Sequence, residues 1–350
     1  MMRYVLRRLG LMLPTLFVIL CINFIMVQMA PGGPVEYQLT KIQNEQQALA
    51  AQGFALANIN YQGASGLSPQ MLAELNARFG YDLPLIERFW LMMSNFARFD
   101  LGESFFQGRA VIELIIEKMP ITLLLGVLSL IVMYGFGIVI GLYKVRHHRS
   151  LRDSVLTAVL AVLHALPVFM LGVLLLVLLA GSSGWQIFPI QGVVSPNFEQ
   201  LGWIGKIKDL LWHLSLPVLA GSLGSIAGIA YLTKFSVMAE LDKPYVQAMQ
   251  ARGLMRTQII YTQVLKNALL PVMSHLPMAV VGVLFSGNFL IEIIFGIDGI
   301  GRLGYEAVMQ RDYPLMFGIL YIFTLIAMVV QLIFDVLYRM IDPRVDFEAV

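Results

Sequence analysis

The side chains in this sequence best suited to bind a metal or act as nucleophiles are histidines and a cysteine. They are His147, His148, His164, His213, His275 and Cys21. The first two histidines are adjacent in a basic segment, and two neighbouring imidazoles are too few ligands for a metal site. The other three lie singly in or beside apolar stretches, where they either line a cavity or hydrogen-bond another helix. The lone cysteine can form no internal disulfide and is typical of a small packing residue.

Motifs of the common catalytic sites are absent from the sequence. It contains no G-x-x-x-x-G-K-[ST] phosphate loop, no H-E-x-x-H metal motif and no G-x-S-x-G nucleophile motif. We therefore expect no catalytic residue, no metal site and no bound cofactor, and nothing in the composition predicts a nucleic-acid partner. Without the phosphate loop, the chain cannot bind and hydrolyse ATP by that route.

The composition predicts an integral membrane protein with an all-α fold. Hydrophobic residues make up 58% of the 350 residues and charged residues 13%, and the mean hydropathy is +0.75, which a water-soluble core could not hide. A span needs about 20 mostly apolar residues. Six stretches qualify, at 11–30, 121–142, 154–180, 211–234, 271–295 and 315–338.

Few polar side chains fall within these stretches. Besides the histidines, the notable ones are Asn23, Gln28, Asn288, Glu292, Gln331 and Asp335. The two acids lie near predicted span ends, where we expect water or lipid headgroups to solvate them. A proton-coupled carrier would place acids deeper in the bilayer, and the two halves of the chain show no convincing inverted repeat. A self-sufficient channel or secondary transporter remains the alternative to a subunit that works with partners.

Basic residues predict which connections face the cytoplasm. They are concentrated before the first span, in the 144–153 connection and in the polar segment 240–271, whereas acids outnumber bases in 36–118 and 292–312. Because short cytoplasmic loops are enriched in Lys and Arg, both termini are predicted to be cytoplasmic.

The sequence divides into three regions: residues 1–30 with the first span, an extracytoplasmic insertion at 31–118, and a five-helix core at 119–350. The insertion is rich in Gln, Asn and Ala up to about Ser68, which favours irregular structure. Ser68-Pro69 then predicts a helix that ends at Gly80, and a second helix is predicted from Pro84 to Phe96.

The most informative part of the core is the segment 240–271, which we call the 240–271 loop. Asp242 is predicted to cap a short helix at 243–252, Gly253 to end it, and a second helix to follow from about Thr257 to Leu270. A mere connection between spans would be much shorter. The loop is therefore predicted to contact a cytosolic partner, the alternative being a basic membrane-surface helix with no protein partner. The second helix is expected either to lie along the membrane surface or to extend a span.

The 240–271 loop resembles the EAA loop of the permease subunits of ABC importers, in the peptide-import branch. The matching residues are Tyr245, Val246, Ala251, Arg252, Gly253, and Asn267 to Pro271. Three further segments resemble that branch: 7–34, with RRL and APGGP; 296–314, with GRLGYEA and RDYP; and DPR at 342–344. The long insertion and the ending DPRVDFE are closest to the Yej-type permeases associated with oligopeptides and microcin C. Met249, Gln250, Met255 and Gln263 depart from the usual loop pattern.

This resemblance implies a fold, a location and a set of partners. It implies six transmembrane helices of the type I importer kind, in a bacterial inner membrane, moving peptides with energy from ATP hydrolysed on separate ATP-binding subunits. A second homologous permease and an extracytoplasmic substrate-binding protein complete the assembly, with membrane lipid around it. The residues expected to couple to the ATPase are Tyr245, Val246, Ala251, Arg252, Gly253, Asn267 and Pro271.

A second candidate contact lies on the opposite side of the membrane. Arg311, Asp312 and Tyr313 precede Pro314 at the start of the last predicted span. They are expected either to contact the binding protein or to form a capped turn entering that span, since Asp and Pro both favour helix starts.

Overall fold

The computed structural model describes residues 2–29, 83–181, 184–285 and 289–341. The helix predicted at 68–80 and most of the insertion lie outside these residues. The described chain is almost wholly helical, and its one extended pairing joins Glu103 to Ala110. The helices are α1 (Met2–Met29), α2 (Leu85–Ala97), α3 (Val111–Arg146), α4 (Leu151–Ala165), α5 (Val168–Leu179), α6 (Trp203–Leu241), α7 (Pro244–Ala251), α8 (Arg256–Ile259), α9 (Leu265–Ser274), α10 (Leu276–Phe285), α11 (Phe289–Ile294), α12 (Ile300–Gln310) and α13 (Tyr313–Ile341).

Five described stretches are long and apolar enough to cross a membrane, and a sixth is added if α4 and α5 count as one bent span. The two helices meet at 105°. The bend falls at Leu166, whose ψ of 130° is extended, because a residue before proline is driven out of the helical region by the ring of Pro167. The predicted span 154–180 is therefore broken in the middle.

The fifth span begins earlier than predicted. Its apolar helical stretch runs from Arg256 to Gly282, so the second helix of the 240–271 loop extends this span, which is one of its two predicted placements. A π-helical turn at Ile260–Val264 joins α8 to α9, and Pro271 lies inside α9. Residues 286–288 lie outside the described ranges, and beyond them Phe289–Ile294 form the short helix α11.

Contacts divide the chain into two compact units. The first contains Met1–Glu117 and Leu303–Ile326. Within it, Phe24 packs on Phe89 and Phe317 with ring centroids 5.3 and 6.2 Å apart, and the Tyr321 hydroxyl donates to the Phe96 carbonyl at 3.0 Å. Aromatic packing and this buried hydrogen bond hold α1, α2 and part of α13 together.

The second unit contains Lys118–Arg302 and Ala327–Val350 and is built around α6. Helices α4, α5 and α9 all pack against α6. The α3 helix approaches it closely at Gly137 and Gly141, where an added Cβ would lie 2.7 Å from Ile229 and 2.6 Å from Thr233. These glycines let the two backbones approach closely, as small residues in membrane helices commonly do.

Candidate functional site

Helix α7 and Gly253 form the predicted helix and turn of the 240–271 loop. Pro244 occupies the first turn of α7, where its missing N–H costs no hydrogen bond. After Arg252, Gly253 adopts φ +83° and its N–H donates to the Gln250 carbonyl at 2.9 Å. Only glycine adopts this left-handed conformation without strain. The helix and its stop are confirmed, but the predicted cap is wrong, because Lys243 precedes α7 and makes no side-chain cap.

One side of α7 is fixed to the second unit and the other is open. Val246 is fully buried and packs in a cluster with Val145 of α3, Val237 of α6 and Ile259 of α8. The exposed residues are Gln247, Ala248, Gln250, Ala251 and Arg252. Leu254 and Met255, directly after Gly253, are 44% and 68% exposed. The open surface therefore combines a basic side chain with apolar ones, as protein interfaces often do.

A single carboxylate holds this loop in place. Glu240, at the end of α6, is only 6% exposed. Its Oε1 accepts hydrogen bonds from the Tyr245 hydroxyl at 2.9 Å and the Asn267 amide at 3.0 Å, and Lys243 Nζ lies 2.6 Å from its Oε2. Burial, together with the hydrogen bond to Glu240, raises the pKa of Tyr245, so this hydroxyl remains a donor at neutral pH. Glu240 thus joins α6, α7 and α9.

The structure brings some of the predicted coupling residues together and leaves others apart. Tyr245 and Asn267 meet at Glu240, and Val246 anchors α7 from beneath. Ala251, Arg252 and Gly253 are exposed on the open side. Pro271 lies within α9, one turn beyond Asn267. The role of Glu240 was not predicted, because nothing in the local sequence pattern distinguishes it from a solvated acid at a helix end.

The turn at Arg311 and Asp312 is a helix cap. The Asp312 carboxylate is 1% exposed and accepts from the Ser104 hydroxyl at 2.5 Å and from the Leu315 N–H at 3.4 Å. Arg311 adopts φ +59°. The predicted capped turn is confirmed, and the Asp312 carboxylate is used inside the first unit. Contact of Arg311, Asp312 and Tyr313 with a binding protein remains a prediction.

We expect Ser104→Ala to weaken the first unit moderately. The substitution leaves the buried Asp312 carboxylate without its closest donor, which costs about 1–3 kcal/mol. Thermal unfolding of the purified chain in detergent should therefore shift down, whereas Ser154→Ala, which removes an exposed hydroxyl, should not shift it. Equal midpoints for the two variants would contradict the assigned cap.

Glu292 is buried, contrary to the expectation that water solvates it. It is 0% exposed, and its carboxylate accepts from the Thr122 hydroxyl at 2.8 Å and the Arg302 N–H at 2.7 Å. The Thr122 oxygen in turn accepts from the Ile300 N–H at 2.9 Å. The acid therefore caps the start of α12, where backbone N–H groups favour negative charge.

Two of the isolated histidines take part in hydrogen bonds. His164 Nδ1 of α4 lies 2.8 Å from the Gly224 carbonyl of α6, and His213 Nδ1 lies 2.9 Å from the Asp209 carbonyl. His164 therefore makes the predicted bond to another helix, whereas His213 bonds the preceding turn of its own helix. Within the described ranges, no three His, Cys, Asp or Glu side chains are grouped so as to hold a metal ion.

Comparison with known proteins identifies the family. The profile of the binding-protein-dependent transport system inner membrane component matches residues 133–347. The chain belongs to this family. Its all-α fold with membrane-spanning helices is accordingly that of an ABC importer permease, as the sequence predicts, and the protein is a multi-pass inner membrane permease subunit.

Curated relatives of this permease align over its whole length. The peptidoglycan transport system permease protein YejB of Agrobacterium fabrum is 42% identical over 357 residues, covering 99% of this chain and 98% of its own. The inner membrane ABC transporter permease protein YejB of Escherichia coli O157:H7 is 39% identical, with 99% of both chains covered. The dipeptide transport system permease protein DppB of Escherichia coli K12 is 28% identical, with the same coverage. These relatives confirm the predicted Yej-type resemblance.

Solved structures that align with the permease include the MetNI methionine ABC transporter in inward facing conformations, with a TM-score of 0.47 and 15% identity, covering 66% of this chain and 95% of that one.

Proposed function

We propose that this permease moves peptides across the bacterial inner membrane, driven by ATP hydrolysed on separate subunits that dock on the 240–271 loop. The relatives named for dipeptide and peptidoglycan transport support a substrate with peptide bonds, from short peptides to the peptide portion of cell-wall fragments. A second, homologous permease lines the pathway with this one, and an extracytoplasmic binding protein delivers the substrate.

The observation that carries this proposal is the geometry of α7. A connection between two spans needs no fixed shape, yet here Glu240 and the buried Val246 hold a two-turn helix against four other helices, α3, α6, α8 and α9. The opposite face is left open, with Arg252, Leu254 and Met255 exposed. A helix with one anchored face and one open face can transmit a displacement from a bound partner to the helices behind it, because it moves as a rigid body.

The orientation follows from the position of this loop. Docking to an ATPase places α7 on the cytoplasmic side, and the basic residues before α1 and in the 144–153 connection agree with that assignment. Both termini are then cytoplasmic. Under this proposal we expect Arg311 and Tyr313 to face the extracytoplasmic side and to contact the binding protein.

The direct test is affinity purification of the tagged permease from membranes of its host, followed by identification of stoichiometric partners and an ATPase assay. We expect a second permease and an ATPase with a phosphate loop to copurify. Gly253→Pro should release the ATPase but not the second permease, because proline cannot adopt φ +83°. Gly228→Ala, whose added Cβ meets no atom within 4 Å, is the matched control.

Arg252→Glu tests the open face without disturbing the backbone. Reversal of an exposed charge at an interface mainly slows association, so we expect several-fold weaker ATPase recovery at low salt and a smaller difference at high salt. Recovery of the chain alone, in a form that exchanges solute without ATP, would favour a channel or secondary transporter. Normal uptake by both the Gly253 and the Arg252 variants would exclude docking at α7.

A further inference from the structure

Three charged side chains form a buried cluster beside the 240–271 loop, which we call the Asp153 cluster: Lys144 of α3, Asp153 of α4 and Lys234 of α6. The Asp153 carboxylate lies 3.1 Å from Lys144 Nζ and accepts from Lys234 Nζ at 2.7 and 2.9 Å. Lys144 is 0% exposed and Asp153 6%. One acid therefore joins three helices.

The groups around the cluster complete its hydrogen bonding. Lys144 Nζ also donates to the Thr157 hydroxyl and to the Asp153 carbonyl and lies 5.2 Å from the centre of the Tyr231 ring. The Arg149 N–H donates to the carboxylate at 3.3 Å, and His148 Nδ1 lies 3.7 Å from it. Every hydrogen-bonding group of Lys144 is thus used within the protein, so the cluster is not a free binding site for an anion.

The cluster is continuous with the packing of α7. Val145, next to Lys144, and Val237, one turn from Lys234, both belong to the apolar cluster that buries Val246 of α7. On its other side, Asp153 lies in the first turn of α4, which leads through the bend at Leu166 into α5. A displacement of α7 therefore reaches α3 and α6 through apolar packing, and Asp153 connects both of these helices to the start of α4.

We propose that the Asp153 cluster is the link that carries movement of the 240–271 loop to the bent pair α4–α5, so that ATP hydrolysis and transport stay coupled. This inference rests on the proposed function. An ion cluster suits the role because it resists separation of the helices while its contacts can re-form after a shift, whereas close apolar packing tolerates little sliding. Lys144, Asp153 and Lys234 are positioning residues and contact no substrate.

The variant that tests the link replaces the whole cluster. Asp153→Asn alone would leave two lysines buried without a counter-charge and would damage folding, whereas replacing all members of a buried ion cluster by apolar side chains is often neutral. The test variant is therefore Lys144→Met with Asp153→Leu and Lys234→Met. The matched control is Glu199→Gln with Lys206→Met, which removes an exposed ion pair of 2.7 Å.

ATP hydrolysis and uptake of an isotope-labelled casein digest are measured in the same proteoliposomes, containing the complete assembly. We expect the test variant to assemble and hydrolyse ATP, but to take up at least about fivefold less peptide per ATP, within the range of ordinary coupling energies. The control should match wild type. Wild-type stoichiometry in the test variant overturns the link. A wild-type assembly that neither hydrolyses ATP nor takes up peptide overturns the proposed function instead.

A measurement on the wild-type assembly covers the case in which the test variant does not assemble. Hydrogen exchange is compared before and after trapping with ATP and vanadate. The link predicts that protection changes together in 244–253 and in 151–157. A change confined to 244–253 overturns it.

Discussion

Glu240→Ala is expected to abolish ATP-driven transport while the permease still inserts into the membrane. The substitution removes the shared acceptor of Tyr245 and Asn267 and the counter-charge of Lys243. Loss of these contacts destabilises the docking conformation of the loop by about 2–3 kcal/mol. Because the ATPase binds this conformation, its affinity should fall roughly 30- to 150-fold. The measurement is ATPase binding to the permease in nanodiscs, with uptake assayed in parallel.

Two neighbouring variants separate positioning from charge. Glu240→Gln keeps an oxygen acceptor for Tyr245 and Asn267 and loses only the pair with Lys243, whose side chain is 55% exposed, and exposed pairs contribute little. We expect its binding within about threefold of wild type. Asp242→Asn removes an exposed carboxylate two residues away and should change nothing. If Glu240→Ala binds the ATPase like Asp242→Asn, the loop is positioned by packing alone.

Helix starts and stops were predicted best, because they depend on the backbone preferences of single residues. The position of α7 follows from Pro244 and Gly253, whose backbone preferences act wherever they stand. The break at Leu166 has a visible cause in Pro167, but the bend of 105° depends on how α4 and α5 pack against α6. The early start of the fifth span was missed because Lys266 and Asn267 look like loop residues. In the structure Asn267 is satisfied by Glu240, 27 residues away.

The acids that organise the site could not be found from local pattern. The residues next to Glu240, Asp153 and Glu292 in sequence do not distinguish these carboxylates from carboxylates that water solvates. Their donors come from helices remote in sequence, such as Thr122 for Glu292 and Lys234 for Asp153. The burial of Lys144 was missed for the same reason. Its position in a basic connection is typical of a solvated residue, yet it is 0% exposed. Burial of a charge depends on tertiary partners, which no short window of sequence contains.

Gly299→Ala is expected to destabilise the second unit severely. An added Cβ would lie 2.5 Å from the Glu292 carboxylate carbon and 2.5 Å from the Thr122 hydroxyl, both of which are fixed by their hydrogen bonds to each other and to α12. Overpacking a buried site without room to relax costs about 3 kcal/mol or more. The measurements are the thermal midpoint in detergent and the amount of chain recovered with the second permease.

Two other glycines of the same segment give graded controls for this clash. In Gly301→Ala the added Cβ meets the Phe289 backbone at 2.8 Å, so we expect a loss at least as large, because backbone cannot rotate aside. In Gly304→Ala the nearest atom is Ile319 Cδ1 at 3.8 Å, an ordinary contact, and alanine in a helix interior is favoured by about 0.5–1 kcal/mol. That variant should be neutral or more stable. Equal stability of all three variants would show that Glu292 does not occupy the space beside Gly299 and Gly301. The expected order, with Gly304→Ala the most stable, would show that the buried carboxylate requires glycine at positions 299 and 301.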